Sequence, residues 1–221
     1  MSILAATGLA REARIARRAG LMPVVGGGNA RLLTARLGEA AHGAVAVVSF
    51  GIAGGLAPLL KTGDVVIATH VVAANEHYHC DAAWSQILRG RLAYSRSAII
   101  AGVDAAVSNV DVKKALFRNT GAHAVDMESH IAARFAMERG LPFAALRVIC
   151  DGAERALPPA ALAPLRPNGK PRLFAVLASV TRDPGQISEL IETGREASKA
   201  LRVLFRCCDF LGRGLGCPYV G

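Results

Sequence analysis

The sequence predicts an α/β fold in which helices cover a largely parallel β-sheet. Short apolar runs rich in β-branched residues alternate with segments whose apolar residues recur at helical spacing. This alternation is typical of β-α-β units, and glycine or asparagine stands at several of the expected boundaries. With 221 residues, the chain has the length of a single domain.

The first elements follow each other closely. A strand at residues 3–7 precedes a helix at 9–18 whose arginines face outward. A second strand, at 22–25, runs into three glycines. Asn29 is placed to cap the next helix, which we expect to reach about residue 37 and to stop at Gly38.

The run AVAVVSF at residues 44–50 is the clearest buried strand, and we expect the GIAGG segment after it to form a loop. Four more strands and three more helices are predicted. The strands are at 64–74, 98–101, 123–125 and 143–150, and the helices at 129–139, 172–179 and 184–211. Five prolines make 157–171 an irregular loop. We expect one domain over 1–211 and a frayed tail at 212–221.

The composition excludes several classes of protein. Apolar residues make up 52% of the chain and charged residues 19%, so the chain can bury a core and is not a disordered protein. The uncharged stretch 40–60 carries four glycines and a proline, which favours a buried strand over a membrane span. Five cysteines without a C-x-x-C pair indicate a reducing compartment. We therefore expect a cytoplasmic protein.

The net charge is +9, and 21 of the 26 basic residues are arginine. Aromatic residues make up only 5%, and no nucleic-acid-binding module is visible, so we expect no nucleic-acid partner. Four arginines cluster on the first helix at positions 11, 14, 17 and 18. The cluster is either a solvated helix face or a contact with acidic lipid at the inner face of the membrane, and the sequence leaves both open.

Three acidic positions and one glycine-rich segment fall near predicted strand ends. Glu12 follows the first strand, GIAGG follows the central one, the acidic pair Asp126 and Glu128 follows another, and Asp151 ends the last. Ligands bind at the carboxyl ends of parallel strands, so these features can converge on one cleft. Each carboxylate alone is as well explained by a helix cap.

A cleft with several carboxyl groups suits the cleavage of a glycosidic bond to a heterocyclic base. One carboxyl group protonates the leaving group, another activates water, and a third holds the sugar hydroxyls while positive charge develops on the sugar. The sequence therefore predicts an enzyme acting on a nucleoside.

Three segments carry a resemblance to a known family: ATGLAREAR, SFGIAGGLAPLLKTGDVVIA and AVDMESHIAARFAMERGLPFAALRVICDGA. Taken in that order, they resemble the purine nucleoside phosphorylase/nucleosidase superfamily over most of residues 1–155. The resemblance implies a single-domain, three-layer α/β/α fold with a central twisted, mixed sheet. It also implies a homo-oligomer (a dimer or larger) that needs no cofactor.

Within that superfamily, the segments TGAHAVDMESHIAA and RVICDGAERALPP look most like those of the hopanoid-associated phosphorylases. These are also described as adenosylhopane nucleosidases, which release adenine from a nucleoside attached to a triterpene. The expected partner is then a nucleoside with a lipidic 5′ substituent, with phosphate as a possible second reactant.

The resemblance assigns roles to individual residues. Asp151 resembles the acid that protonates the purine N7, and Glu12 resembles the carboxylate that activates water. Glu128 resembles the group that binds the ribose 2′- and 3′-hydroxyls, beside Met127 packed on the sugar. The remaining residues expected to bind substrate are Gly51, Ile52, Gly54, Val107, Asp126 and Tyr78.

The chain departs from the family pattern at two positions. Ile52 replaces a serine of the hydrolytic branch, and Ala106 stands near where the family has a purine-stacking aromatic residue. Both changes imply a pocket altered for another substrate or a weaker activity.

Tyr78 lies in a stretch similar to the family's Y-H-D and is expected at the substrate entrance. His77 and His79 have strand spacing, but no third ligand accompanies them, so we expect no metal.

Two classes of function therefore remain open. The leading hypothesis is an enzyme that cleaves the N-glycosidic bond of adenosylhopane, by hydrolysis in preference to phosphorolysis because Glu12 offers a base for water. A methylthioadenosine/S-adenosylhomocysteine nucleosidase is the alternative within the same class. The alternative of another class is a non-catalytic nucleoside-binding protein at the membrane surface.

Overall fold

The computed structural model describes residues 1–220 and contains eight strands and seven α-helices over that range. The strands are β1 (Ser2–Thr7), β2 (Met22–Val25), β3 (Ala44–Gly55), β4 (Val65–Ala73), β5 (Glu76–His79), β6 (Arg96–Gly102), β7 (Ala124–Asp126) and β8 (Phe143–Asp151). The helices are α1 (Ala10–Arg18), α2 (Ala30–Glu39), α3 (Ala82–Arg91), α4 (Val110–Thr120), α5 (Ser129–Glu138), α6 (Leu173–Arg182) and α7 (Ile187–Leu211).

The strands form one mixed sheet in the order β2-β1-β3-β7-β6-β4-β5, and β8 pairs with both β3 and β4. Five pairings are parallel, while β3–β7, β4–β8 and β4–β5 are antiparallel. The double pairing of β8 closes β3, β7, β6, β4 and β8 into a ring. The predicted single-domain fold with a mixed sheet is confirmed.

The two faces of β1 show how the layers are built. Leu4 and Ala6 belong to an apolar cluster that includes residues of α2 and α5, whereas Ile3 and Ala5 belong to a second cluster with residues of α1, α3 and α7. Successive side chains of a strand point to opposite faces, so this alternation divides the core into two halves. Helices therefore cover the sheet on both sides.

The glycine-rich segment after residue 50 is not a loop. β3 continues without interruption to Gly55 and stays paired with β8, and its last two residues also pair with β7. Glycine weakens a strand, but here it marks sites of close approach by side chains. The predicted loop is thus wrong, and the strand itself carries the binding segment.

Local signals misplaced other elements as well. Gly38 is helical and exposed, and α2 runs past it to Glu39. The sequence analysis missed β5, α3 and α4, although the side chains of Asp81 and Asn109 cap the two helices as an N-cap rule would have indicated. Asn29 caps α2, as predicted, by accepting a hydrogen bond from the Leu32 amide.

Residues 212–220 are packed against the domain, so the prediction of a frayed tail is wrong for them. Leu215 and Cys217 are buried. The Trp84 indole donates to the Leu215 carbonyl at 3.0 Å, and the Tyr219 hydroxyl donates to Asp81 at 2.8 Å. Gly221 lies outside the described residues. Each helix within 1–220 is too short or too polar to cross a membrane.

Candidate active site

A cavity of about 230 Å³ opens where β3, β7 and β8 end and α1 begins. Four carboxyl groups line it, from Glu12, Asp126, Glu128 and Asp151. The rest of the lining is glycine, Cys150 and apolar side chains. These further residues are Gly8, Leu9, Gly28, Ile52, Ala53, Gly54, Val103, Ala106, Val107, Val125, Met127, Cys150, Leu157 and Leu165.

Glu12 lies in the first turn of α1 and is completely enclosed. Its Oε2 accepts hydrogen bonds from the amides of Gly8 (2.9 Å) and Leu9 (2.8 Å), and its Oε1 accepts one from the Ile52 amide (2.8 Å). Burial raises the pKa of Glu12 from its ordinary value, against the opposing effects of the Arg147 charge and the three amides. Glu12 therefore joins the start of α1 to β3.

Arg147, on β8, is the charge at the centre of the site. Its side chain is fully buried, with Nε 3.0 Å from Asp126 and Nη2 3.4 Å from Glu128. Nη2 also donates to the Ser49 hydroxyl at 2.5 Å, and Nη1 donates to the Ile52 carbonyl at 3.3 Å. The guanidinium offsets the negative charge of the carboxylates around it.

Asp126 mainly positions its neighbours, although it lines the cavity. Its Oδ1 accepts the amides of Glu128 (2.8 Å) and Ser129 (2.7 Å), and its Oδ2 accepts the Ser129 hydroxyl and pairs with Arg147. These bonds hold the start of α5. Both oxygens are occupied, so Glu128 is the carboxylate of this pair with capacity left for a ligand.

Glu128 is buried, and its pKa is raised to about 8, with burial as the largest cause. Arg147 lowers the pKa of Glu128, and the negative charges of Asp126 and Glu12 raise it; these effects are included in that value. Glu128 therefore holds a proton more readily than an ordinary glutamate in the absence of a ligand.

Asp151 ends β8 and makes a buried ion pair that the sequence analysis did not foresee. The Nζ of Lys113 on α4 donates to its Oδ2, and the Cys150 thiol donates to its Oδ1 at 2.9 Å. Lys113 itself is completely buried.

Three glycines let the carboxyl groups approach the backbone. A Cβ atom at Gly8 would lie 2.5 Å from Glu128, and one at Gly51 would lie 2.6 Å from the carboxyl carbon of Glu12. A Cβ atom at Gly54 would lie 3.3 Å from Asp151. Real Cβ atoms essentially never make contacts as short as those at Gly8 and Gly51, so a side chain there would displace the carboxyl group. At Gly54 the Asp151 carboxyl group would have to shift by a few tenths of an ångström.

The predicted site residues are brought together with two exceptions. Gly51 lies behind Glu12 and does not line the cavity. Tyr78 lies elsewhere: its hydroxyl donates to Glu76 at 2.5 Å and accepts from Arg134 at 2.9 Å, beside a separate pocket. The structure therefore does not place Tyr78 at the entrance of this cavity, because β5 lies at the edge of the sheet, paired with β4.

The sequence analysis assigned no role to two charged residues of the site. Arg147 stands four residues before Asp151 in the quoted segment RVICDGAERALPP, and a charged residue inside an apolar strand was a usable signal. Lys113 has a weaker signal, since it shares a helix face with Leu116 and Phe117 at i+3 and i+4 spacing. Within residues 1–220, no three His, Cys, Asp or Glu side chains are grouped to hold a metal ion.

The fold and the site together define the class: an α/β protein with carboxyl groups gathered around a small cavity at strand ends. A family model described as the Phosphorylase superfamily matches residues 4–180, and the chain belongs to this family. No curated protein sequence matches the chain.

Solved structures of nucleosidases have a similar fold. A mutant 5′-methylthioadenosine/S-adenosylhomocysteine nucleosidase of Helicobacter pylori with 5′-methylthioadenosine in its active site is 16% identical, with a TM-score of 0.63 over 94% of this chain and 98% of that one. The futalosine hydrolase of Helicobacter pylori is 16% identical, with a TM-score of 0.63 over 94% of this chain and 97% of that one. The S. pneumoniae nucleosidase with a transition-state inhibitor is 16% identical, with a TM-score of 0.60 over 94% of this chain and 99% of that one.

Proposed function

We propose that this protein cleaves the N-glycosidic bond of an adenosine-type nucleoside and releases adenine. The observation that carries the proposal is the convergence of Glu12, Glu128 and Asp151 on one buried cavity. These residues are up to 139 positions apart in the sequence (151 − 12), so their meeting depends on the fold. Membership of the Phosphorylase superfamily supports the same chemistry.

The three carboxyl groups divide the work of the reaction. Asp151 delivers a proton to the purine N7, which makes the base a better leaving group. Glu128 accepts hydrogen bonds from the ribose 2′- and 3′-hydroxyls, and Glu12 takes a proton from the attacking water. Negative charge around the sugar stabilises the oxocarbenium-like transition state.

Hydrolysis fits the site better than phosphorolysis. A phosphate would need backbone amides or an arginine near the sugar. The amides of Gly8, Leu9 and Ile52 are already bonded to Glu12, and Arg147 is buried among carboxylates. We therefore propose water as the attacking group. Strict dependence of adenine release on phosphate would contradict this.

For the substrate we propose adenosylhopane, on the strength of the motif resemblance and of the apolar lining. Ile52 and Ala106 both line the cavity, where they leave an apolar surface without the serine hydroxyl and the aromatic ring of the family. A cavity of about 230 Å³ lies below the usual size of about 300–1,000 Å³ for ligand sites, so a bulky 5′ group must extend outside it.

Methylthioadenosine or S-adenosylhomocysteine is the second candidate substrate. Structural relatives bind 5′-methylthioadenosine or are named for both compounds, and they share the fold over nearly the whole chain. This candidate predicts faster turnover of the soluble thioether nucleosides than of nucleosides with a long apolar 5′ chain.

We also propose peripheral contact with anionic membrane at the inner face, in a cytoplasmic protein. A groove of about 920 Å³ between α1 and α7 is lined by Arg11, Arg14, Arg17, Arg18, Arg202 and Arg206, with Asp209 as its acidic residue. Its apolar lining comes from Ile15, Leu201 and Phe205. Arginine binds phosphate groups well, and the apolar strip suits acyl chains near the headgroups.

A homo-oligomer is proposed from the resemblance. Helix α6 has no buried residue, and it exposes Leu173, Phe174 and Leu177. An apolar face of this kind supports assembly between copies. Sedimentation equilibrium tests the proposal, and a monomer at micromolar concentration would contradict it.

The central test is adenine release from adenosylhopane, from 5′-methylthioadenosine and from adenosine, each with and without phosphate. The variants Asp151→Asn and Glu128→Gln should each lower kcat by about 100-fold or more, as loss of general acid catalysis or of sugar binding does. A matched control is Glu154→Gln, which removes an exposed carboxylate near Asp151.

The outcomes separate the classes of function. Unchanged activity in both site variants would contradict the enzyme mechanism. If the wild type bound adenosylhopane but released no adenine, the protein would be a binding protein and not an enzyme.

A further inference from the structure

Lys113 is a buried cation whose bonds are fully accounted for. Its Nζ donates to Asp151 Oδ2, to the Gly152 carbonyl at 2.9 Å and to the Arg155 carbonyl at 2.9 Å. Three acceptors match the three N–H bonds of an ammonium group. The three acceptors around Lys113 therefore suit a protonated ammonium group.

Asp151 shows the complementary arrangement. Its Oδ2 accepts the Lys113 ammonium, and its Oδ1 accepts the Cys150 thiol at 2.9 Å. Burial and the adjacent Asp151 charge raise the pKa of Cys150 well above its ordinary value, so the thiol keeps its hydrogen. Both oxygens are acceptors, which is the bonding of a carboxylate without a proton of its own.

Because both oxygens of Asp151 accept hydrogen bonds, the proton for the purine has to come from one of their donors. A general acid must hold a proton before the bond breaks, and the donor to Asp151 Oδ2 is the Lys113 Nζ. Lys113 does not line the cavity, so it can reach the substrate only through Asp151.

We propose that Lys113 is the proton source for the leaving base and acts through Asp151. The inference rests on the proposed function. A proton first passes from Lys113 Nζ to Asp151. As the C1′–N9 bond breaks, its electron pair stays on adenine and Asp151 gives that proton to N7. Lys113 becomes a neutral amine, whose two remaining N–H bonds still serve Gly152 and Arg155.

The cycle balances without another reactant. Water adds its oxygen to C1′ and gives one proton to Glu12, so adenine leaves neutral and the sugar gains a hydroxyl. Glu12 then returns its proton to solvent, and Lys113 takes one up. Lys113 is thus a positioning residue, while Asp151 is the group that touches the base.

Lys113 also has a structural role to be separated from this one. Removing one partner of a buried ion pair is strongly destabilising, so a loss of activity in a variant of Lys113 does not by itself show proton transfer. The separation needs a substrate that reacts at the same sugar but does not need a proton on its leaving group.

The test compares adenine release from 5′-methylthioadenosine or adenosine with cleavage of 4-nitrophenyl β-D-ribofuranoside, whose nitrophenolate departs unprotonated. In Lys113→Met, kcat for the nucleoside should fall about 100-fold or more, while kcat for the nitrophenyl riboside stays within about threefold of wild type. Equal losses on both substrates, or no loss on the nucleoside, would overturn the proposal.

A second measurement needs no variant. In the wild type, the ratio of the two kcat values isolates the leaving-group proton, because Glu12, Glu128 and Cys150 face both substrates alike. Arg155 contacts Lys113 through its carbonyl group, while its charged side chain pairs with Glu192 and Glu196 on α7. The ratio should fall as the pH is raised, because fewer leaving groups then receive a proton, and a ratio that stays constant with pH would overturn the proposal.

These results are distinguishable from failure of the proposed function itself. If the wild type releases no adenine from any nucleoside, the function is wrong. If it releases adenine and Lys113→Met affects both substrates equally, only the role of Lys113 is wrong.

Discussion

Arg147 shows how a single buried side chain organises the site. It contacts Asp126 and Glu128 directly, and its positive charge also acts on the enclosed Glu12. Burying three carboxyl groups together is unfavourable unless a cation offsets their charge. The arginine therefore offsets part of the negative charge, while the raised pKa of Glu128 lets a proton offset another part.

The first prediction concerns Glu128 and pH. Its folded pKa of about 8 exceeds the ordinary value of 4.5, so between these pH values the folded protein holds a proton that the unfolded chain has released. Stability from this group is complete below pH 4.5 and is lost as pH rises through 8. From pH 5 to pH 8, the free energy of unfolding should fall by at least about 1 kcal/mol more in wild type than in Glu128→Gln.

Urea unfolding at four pH values measures this difference. The exposed-site variant Glu154→Gln should keep the wild-type dependence on pH. Parallel curves for wild type and Glu128→Gln would show that Glu128 does not bind the extra proton.

Within the elements, β3 and α2 show opposite uses of glycine. Gly51 lies in β3 beneath the Glu12 carboxyl group, where a methyl group has no room. Gly38 lies in α2 with open space around its Cβ position, so nothing in its surroundings requires glycine. The same substitution to alanine should therefore have opposite effects on the free energy of unfolding at the two positions.

The second prediction is that Gly51→Ala lowers the free energy of unfolding by about 1–3 kcal/mol, because the new methyl group displaces Glu12 or Arg147. Its kcat for adenine release should fall at least about tenfold, as expected when a catalytic group is misplaced. Gly38→Ala is the matched control and should raise stability by about 0.5–1 kcal/mol through helix propensity, with unchanged kcat. Chemical denaturation and the adenine assay measure both, and a stable, active Gly51→Ala variant would contradict the close approach.

At the scale of the whole molecule, the two ends of the chain come together in the basic groove. α1 supplies four arginines, and α7, almost 200 residues later, supplies Arg202 and Arg206. The same helix α1 carries Glu12 on its buried side, so the proposed membrane contact and the proposed active site share one element.

The third prediction tests this groove with liposomes. Wild type should sediment with vesicles containing phosphatidylglycerol but not with pure phosphatidylcholine, and binding should weaken with salt. The double variant Arg202→Glu/Arg206→Glu should lose most of the binding. Lys114→Glu/Arg118→Glu changes the net charge equally on α4 and should bind like wild type, and equal losses would indicate a general charge effect instead. Binding to RNA in preference to the vesicles would also contradict the proposal.

Predictions from the sequence were correct where the signal was local. The strand at 22–25 and the Asn29 cap were predicted as observed, since a short apolar run before glycines or a capping side chain can be recognised within a few residues. They failed at GIAGG, where partner strands override the low β propensity of glycine, and at residues 212–220, where Trp84 and Asp81 hold the chain.

Local pattern, order of motifs and composition thus determined by themselves that the chain forms an α/β domain and which carboxyl groups were candidates. Only the tertiary structure decided how those groups are arranged: Arg147 among the carboxylates, Lys113 behind Asp151, Tyr78 away from the cavity, and β8 closing a ring of strands. The physical reason is that charge, burial and hydrogen-bond partners come from residues distant in sequence, and periodicity carries no information about which of them meet.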